Sequence, residues 1–226
     1  MKHLWMIWIA LTIVGLMSVQ AQEKGTFTDI RDGHVYQWVK VGGQIWMAEN
    51  LAYMPGVNRV SDSQFEGKCF YVYGCDGENL SKAKAEPNYK KYGVLYNWEA
   101  ARESCPEGWH LPTDQEWKKL ENCLGMSEKE VTERGWRRTG EVGKKLESAS
   151  GWTIDGGTDE AGFHALPGGC RGYEEYGSQG FCAYFWTSSP VGGDDGWRRG
   201  FCGDDNGSCR EEERRYFGLS VRCVKD

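Results

Sequence analysis

Four histidines, nine cysteines and a scatter of loop carboxylates are the residues of this 226-residue chain whose types could do chemistry. His34 sits beside a turn. His110 follows Trp109 directly ahead of a helix cap, where a ring bonded to a nearby carbonyl is the expectation. Neither these nor His164 has the short spacing of a zinc pair. Ser188-Ser189 lacks the glycine-flanked elbow of a serine nucleophile. Glycosidases need two carboxylates, and Asp155, Asp159, Glu160, Asp194, Asp195, Asp204 and Asp205 supply candidates, none singled out by its setting. Calcium prefers several oxygens on flexible loops. Asp194-Asp195 and Asp204-Asp205-Asn206, with glycines beside them, suit a structural calcium ion, although neither segment follows an EF-hand loop. The expectation is a protein poor in catalytic groups.

Binding is the richer signal. Strands are predicted over 184–189 and 216–224, and the stretch between them reads as a long irregular loop. It carries Trp197, Arg198, Arg199, Phe201, Asp204, Asp205, Asn206, Arg210 and Tyr216. Aromatic and Arg side chains offer large contacts and directional donors, and loops on a rigid scaffold are the usual place for recognition. The competing reading packs Trp197 and Phe201 into a satellite core and pairs Arg198 with an acid. Tyr71, Tyr73, Tyr173 and Tyr176 form a second aromatic group. Glu211-Glu212-Glu213 followed by Arg214-Arg215 reads as a solvated turn.

What must position these residues begins after a leader. Met1-Lys2-His3 is basic, the run from Leu4 to Met17 is apolar, and Val19-Gln20-Ala21 offers small residues at a cleavage point. Residues 1–21 therefore read as a signal peptide, with a membrane anchor as the alternative. Residues 22–226 fit one domain. Nine cysteines in an exported chain imply disulfides, and the odd number leaves one over. The net charge of −6, with acids and bases mixed, offers no phosphate-binding tract, so nucleic acid is not an expected partner. Thirty-one glycines and eleven tryptophans suggest short strands and many turns.

Asp32-Gly33 and Gly42-Gly43 are turn signals between strand-like pieces, so the mature chain opens as a hairpin or small meander. Cys69 and Cys75 are close enough for a local disulfide. A helix is predicted from Tyr92 to Ser104, stopped by Pro106 and Gly108. Thr113-Asp114-Gln115-Glu116 is a capping box, and Trp117, Leu120 and Leu124 share a face of the second helix, which Gly125 ends. Short helical turns are expected near Ser127–Glu130 and from Glu141 to Leu146. Beyond Ser148 the chain is glycine-rich and broken, with a brief strand around Phe163–Leu166. The fold class read from this is α+β, strands at both ends and two or three central helices.

Several blocks then carry a resemblance: Trp46-Met47-Ala48-Glu49-Asn50-Leu51, Tyr92-Gly93-Val94-Leu95-Tyr96-Asn97-Trp98, and Cys105-Pro106-Glu107-Gly108-Trp109-His110-Leu111-Pro112-Thr113. Gly157–Phe163, Leu166-Pro167-Gly168-Gly169 and Phe217–Val224 continue in order. They resemble the Fibrobacter succinogenes major paralogous domain family, typical of exported and surface proteins of Bacteroidetes and Fibrobacteres, over nearly all of the mature chain. More distantly they resemble C-type-lectin-like and formylglycine-generating-enzyme-like domains. The resemblance implies a C-type-lectin-like α+β domain with disulfides, long loops and its N- and C-terminal strands side by side. It implies a Cys105–Cys223 bridge and favours Cys69–Cys75. Cys170–Cys182 and Cys202–Cys209 are the simplest remaining pairs, leaving Cys123 as a buried small hydrophobe. The cysteine pair with which the formylglycine enzymes bind copper lacks its surrounding pattern here. The late region is the ligand face in C-type-lectin-like proteins, which agrees with the nine residues above. Trp46, Trp98, Trp109, Trp117, Trp152 and Trp186 read as scaffold, and Asn50, Asn97 and Arg222 as loop-stabilising hydrogen bonders. The expected function is a secreted or cell-surface binding domain for a glycan or extracellular protein. The alternatives are a subunit of a surface assembly, with the odd cysteine as a link between chains, or an enzyme.

Overall fold

The computed structural model describes residues 22–62 and 67–226; the leader read over Met1–Ala21 lies outside them. Strands β1 (Lys24–Thr28), β2 (Val35–Val41) and β3 (Gln44–Met47) form the expected antiparallel meander. Next come β4 (Phe70–Tyr71), helices α1 (Leu80–Ala85) and α2 (Pro87–Tyr92), β5 (Leu95–Tyr96) and α3 (Trp98–Ser104). The helix predicted from Tyr92 therefore starts six residues late. Gly93 ends α2 at φ +73°, and a Cβ there would stand 2.7 Å from the Leu51 carbonyl oxygen. Asn97 then caps α3, its Oδ1 accepting from the Ala100 amide at 3.1 Å.

After β6 (Trp109–His110), α4 (Asp114–Cys123) opens with the predicted capping box: the Thr113 hydroxyl accepts from the Glu116 amide, and the Glu116 carboxylate accepts from the Thr113 amide. A 3₁₀ turn (Glu130–Thr132), β7 (Gly135–Arg137), α5 (Val142–Leu146), β8 (Cys170–Gly172), β9 (Glu175–Gly177), β10 (Cys182–Pro190), β11 (Asp195–Cys202), β12 (Ser208–Arg214) and β13 (Val224–Lys225) complete the described chain. The brief strand expected around Phe163 reduces to a single bridge between Ala165 and Glu147.

Two antiparallel sheets dominate. One has the order β1-β2-β3-β13-β6, which brings the N- and C-terminal strands together; the other has the order β10-β11-β12-β7. The α+β class stands, but the described residues hold five α-helices rather than two or three. Both sheets are open, without the curled or closed sheet that a C-type-lectin-like fold leads one to expect. The larger correction concerns residues 195–214, expected as irregular loop. They form a registered hairpin in which Arg199 faces Arg210 and Trp197 faces Glu212. Its alternation was hidden because inward positions carry arginine instead of aliphatic side chains. The strand expected over 216–224 contracts to β13; residues 218–220 make single bridges to Arg171, Tyr96 and Phe185.

Two large apolar clusters, beside a small one at Cys69, Tyr71 and Leu95, fill the interior. One gathers Tyr36, Met47, Tyr96, Trp98, Trp186 and Val221; the other gathers Trp46, Trp117, Phe163, Phe185 and Phe201. Of the six scaffold tryptophans only Trp152 is half-buried; the other five lie in the core. Cys105 bridges Cys223 across 118 residues, the pairing the resemblance implies. The other bridge joins Cys182 to Cys202, directly opposed on β10 and β11. This corrects both Cys170–Cys182 and Cys202–Cys209, because nearness in sequence says nothing about cross-strand register. Cys170 and Cys209 remain thiols, as do Cys69 and Cys75, so the local Cys69–Cys75 bridge is absent. Cys123 is exposed at the end of α4 rather than buried.

Candidate functional site

The nine residues expected to form one ligand face lie on or next to one hairpin but do not share a surface. Arg199 and Phe201 are fully buried and Arg210 nearly so. Phe201 packs among Trp117 and Phe185. Arg199 and Arg210 enter an ionic cluster against α4. The Glu121 carboxylate, itself fully buried, accepts from Arg137 Nη2 at 2.6 Å, Arg199 Nε at 2.8 Å and Ser208 Oγ at 2.7 Å. Asp114 accepts from Arg199 Nη1 at 2.9 Å and from Arg210 Nε and Nη2 at 2.8 Å, and Lys118 Nζ lies 2.8 Å away. Burial alone would raise both carboxyl pKa values. The surrounding guanidiniums win, holding Glu121 below its ordinary value and Asp114 far below. Such a cluster fastens the helix to the sheet and leaves these side chains nothing to offer a ligand.

The other members are largely engaged as well. Two guanidiniums lie over the Trp197 ring, Arg210 at 3.5 Å and Arg134 at 5.0 Å. Arg198 reaches Glu211 at 2.9 Å and Glu213 at 3.3 Å while lying over Tyr184. Asp205 accepts from the Gly207 amide and pairs with Arg138, and Asn206 donates to Glu141. Asp195 lies 3.5 Å from Arg214. The described residues contain no group of three or more His, Cys, Asp or Glu side chains arranged to hold a metal ion. Tyr216 packs with Tyr173 and Phe217 in a small aromatic cluster at the β8–β9 tip. Of the second tyrosine group, Tyr73 and Tyr176 meet at 5.0 Å.

His110, expected on a backbone carbonyl, stands between two carboxylates instead: Asp226 at 2.6 Å and Glu116 at 2.9 Å. Partial burial opposes its charge, but these two bonds prevail and raise its pKa. The ring therefore ties the α4 cap to the chain beyond β13, a structural task.

The open concavities are lined by other residues, of which sequence reading had singled out only Asp159 and the structural positions His34, Asn50 and His164. A cavity of about 630 Å³ is walled by β1 and β2 (Lys24, Gly25, Gln37, Trp38) and by the 159–166 loop. A second, of about 290 Å³, continues past Glu49, Lys91 and Leu166 to His34, Lys84, Tyr89 and Lys90. The three shared residues make the two cavities neighbours along one groove-like face. Gly25 is required there, since a Cβ would meet the Trp38 ring at 2.7 Å. The groove floor is built from the sequence blocks that carry the resemblance. Fully buried Arg222 donates from Nε to Asn50 Oδ1 at 2.8 Å, from Nη1 to the Phe163 carbonyl and from Nη2 to the His164 carbonyl at 2.7 Å. Asn50 Nδ2 donates in turn to the Tyr92 carbonyl at 2.9 Å. Burial pulls the Arg222 pKa down to about 9, against the fields of Glu49 and Asp159, so the guanidinium stays charged at neutral pH. The loop-stabilising roles expected of Asn50 and Arg222 are thus visible. Asn97 plays its own part elsewhere, accepting from the Cys69 amide at 2.9 Å.

Asp159 and His164, both at positive φ, shape the loop: Asp159 accepts from the His164 amide at 2.7 Å and lies 3.0 Å from its Nδ1. Glu49 accepts from the Gln37 amide at 2.7 Å and lies 3.6 Å from His34. The signal that pointed here was available in the sequence. The blocks around Asn50, Gly93, Gly162 and Arg222 converge on this floor, although they entered the reading as marks of resemblance and, for Asn50 and Arg222, as loop-stabilising hydrogen bonders, not as a site.

No solved structure and no curated protein matches the chain. The wider likeness to C-type-lectin-like and formylglycine-generating-enzyme-like domains therefore has no support from these comparisons. The model of the Fibrobacter succinogenes major domain matches residues 39–225, a span that includes both disulfides, the ionic cluster and the Arg222 floor, and the chain belongs to that family.

Proposed function

We propose that this protein is a non-catalytic binding domain of the cell exterior, and that its ligand, a glycan or a surface protein, sits in the groove between β1–β2 and the 159–166 loop. The observation that carries this reading is the groove itself. It is a pair of adjoining concavities, the larger with an aromatic wall at Trp38, amides at Gln22 and Gln37, and a floor fixed by the buried Arg222 bonds. Concave sites with a few well-placed polar groups are where ligands bind. Two disulfides and a leader-like N-terminus support an extracellular setting. A binding role is preferred to catalysis because no hydroxyl or thiol hydrogen-bonds the Asp159–His164 pair among the described residues.

The test is a binding panel of glycans and surface proteins, run with calcium and with chelator, on the exported protein and two variants. Trp38→Ala abolishes binding while Trp197→Ala leaves it intact; unfolding curves of both variants verify the fold. The reverse pattern moves the ligand to the hairpin face. An absence of binding throughout, with a reductant-sensitive oligomer on sizing, favours a surface-assembly subunit linked through exposed Cys123.

A further inference from the structure

The groove carries an unbalanced charge. Glu49 and Asp159, the two carboxylates in its lining, are already committed: Glu49 to the Gln37 amide and His34, Asp159 to the His164 amide and ring. Both also face the buried Arg222 cation beneath the floor. Lys24, Lys84, Lys90 and Lys91 line the same groove, and none of them forms an ion pair among the described residues. The nearby acid on β1's approach, Glu23, is paired with Lys40 at 2.8 Å. Four lysines and one buried guanidinium thus stand against two internally satisfied carboxylates, on a chain whose overall charge is −6. A concavity of one sign with low-dielectric walls focuses its field and concentrates ligands of the opposite sign.

The lysines are also arranged along the groove rather than gathered at one point. Lys24 lies on β1 at one end, Lys91 where the two cavities meet, and Lys84 and Lys90 on α1 and α2 at the other end. That spacing fits a ligand with repeated anionic groups. Trp38 and Tyr89 add ring surface in the two halves, while Gln22 and Gln37 add neutral amides. Rings and amides beside cations match the apolar faces, hydroxyls and acid groups of a charged sugar chain.

Resting on the groove reading above, we infer that the ligand is an acidic glycan whose carboxylate or sulfate groups are held by Lys24, Lys84, Lys90 and Lys91. The experiment measures binding of the exported full chain by calorimetry to two matched pairs of probes: oligogalacturonate and its carboxyl-reduced counterpart, and a heparin oligosaccharide and its desulfated counterpart. The acidic member of at least one pair binds, and the pair that responds identifies carboxylate or sulfate as the recognised group. The counterpart that lacks the recognised group binds at least tenfold more weakly. Raising salt from 50 to 500 mM weakens binding severalfold, as exposed charges are screened. Lys91→Ala weakens binding by roughly fivefold and Lys90→Ala/Lys91→Ala by more than tenfold, as expected for exposed charge contacts. These lysines are exposed, so the variants keep the wild-type unfolding curve. Equal binding of both members of each pair, including the neutral carboxyl-reduced oligogalacturonate, lost on Trp38→Ala, overturns the anionic assignment but leaves the groove in place. Binding untouched by Trp38→Ala and by both lysine variants overturns the groove as well, whereas no binding by any of the four probes overturns the acidic-glycan assignment alone and leaves the groove to the wider panel above.

Discussion

Glu121→Gln is the sharpest test of how α4 is held to the sheet. The substitution keeps the size of the side chain but removes its charge and turns one acceptor into a donor. Wild-type Glu121 accepts from Arg137 at 2.6 and 2.9 Å, from Arg199 at 2.8 Å and from Ser208 at 2.7 Å, with all four side chains inaccessible to solvent. A glutamine amide would point N–H groups at guanidinium donors. Arg137 would then lack any carboxylate, and Arg199 would keep only Asp114. Breaking a buried ion pair from one side costs about 3–5 kcal/mol because the remaining charge is stranded. Against a total stability of about 5–15 kcal/mol, that is a large share. A domain of this size loses roughly 2–4 °C per kcal/mol, so the melting temperature should fall by about 10 °C. Urea unfolding of the oxidised protein at pH 7 reads the same loss as a lower midpoint at unchanged slope. Replacing Glu121, Arg137 and Arg199 together with methionine should recover much of it, since the buried charges leave as a group. A Glu121→Gln variant within about 1 kcal/mol of wild type would refute the view that the cluster is dry and tightly paired.

Other outcomes follow from groups in unusual settings. Glu147 is inaccessible, its two oxygens lack hydrogen-bond partners, and Lys144 Nζ lies 3.7 Å away; burial lifts its pKa to about 7. A raised carboxyl pKa gives stability that is full below the unfolded value and lost as pH rises through 7. Glu147→Gln should therefore stabilise by about 2–3 kcal/mol at pH 8 and have little effect at pH 4, and equal effects at both pH values would sink the assignment. His110 runs with the same sign. Its stabilising pairs with Glu116 and Asp226 are fully present below about pH 6.5 and lost as pH rises through its raised folded pKa. His110→Ala should flatten that segment of the stability–pH curve, by less than about 1 kcal/mol because the ring is partly exposed. In native alkylation Cys123 should react first, while Cys170 and Cys209, pushed up to about 11 by burial, stay protected. Peptide mapping that finds Cys69 bridged to Cys75 would contradict the cysteine arrangement.

Much of the scaffold was legible because its signals are local. The Asp32-Gly33 and Gly42-Gly43 turns, the Thr113–Glu116 box and the stop at Gly125 each depend on a few adjacent residues. The β11–β12 hairpin was not legible, because strand reading looks for apolar alternation. Here the inward positions hold Arg199 and Arg210, whose burial is compensated by Asp114 and Glu121 more than seventy residues earlier. The same long-range pairing took Arg199, Phe201 and Arg210 away from the expected ligand face. Tyr92–Tyr96 misled in the opposite direction: its apolar spacing is helical, yet the Gly93 backbone packs against Leu51 and breaks the helix. The groove escaped notice because its walls come from residues 24–49, 84–93 and 159–166, which only the fold brings together.

The position of β13 bears on when this chain can fold. Val224 pairs with Trp46 on one side and His110 on the other, and Arg222 and Cys223 fasten the groove floor and the long bridge. Ribosomes deliver this segment after nearly everything it joins, and contacts so distant in sequence form slowly. Until it arrives, the first sheet lacks the strand that joins β3 to β6, and the groove loop lacks its guanidinium. Synthesis therefore yields a chain whose first sheet, groove loop and long bridge can close only once its last-made segment has been delivered.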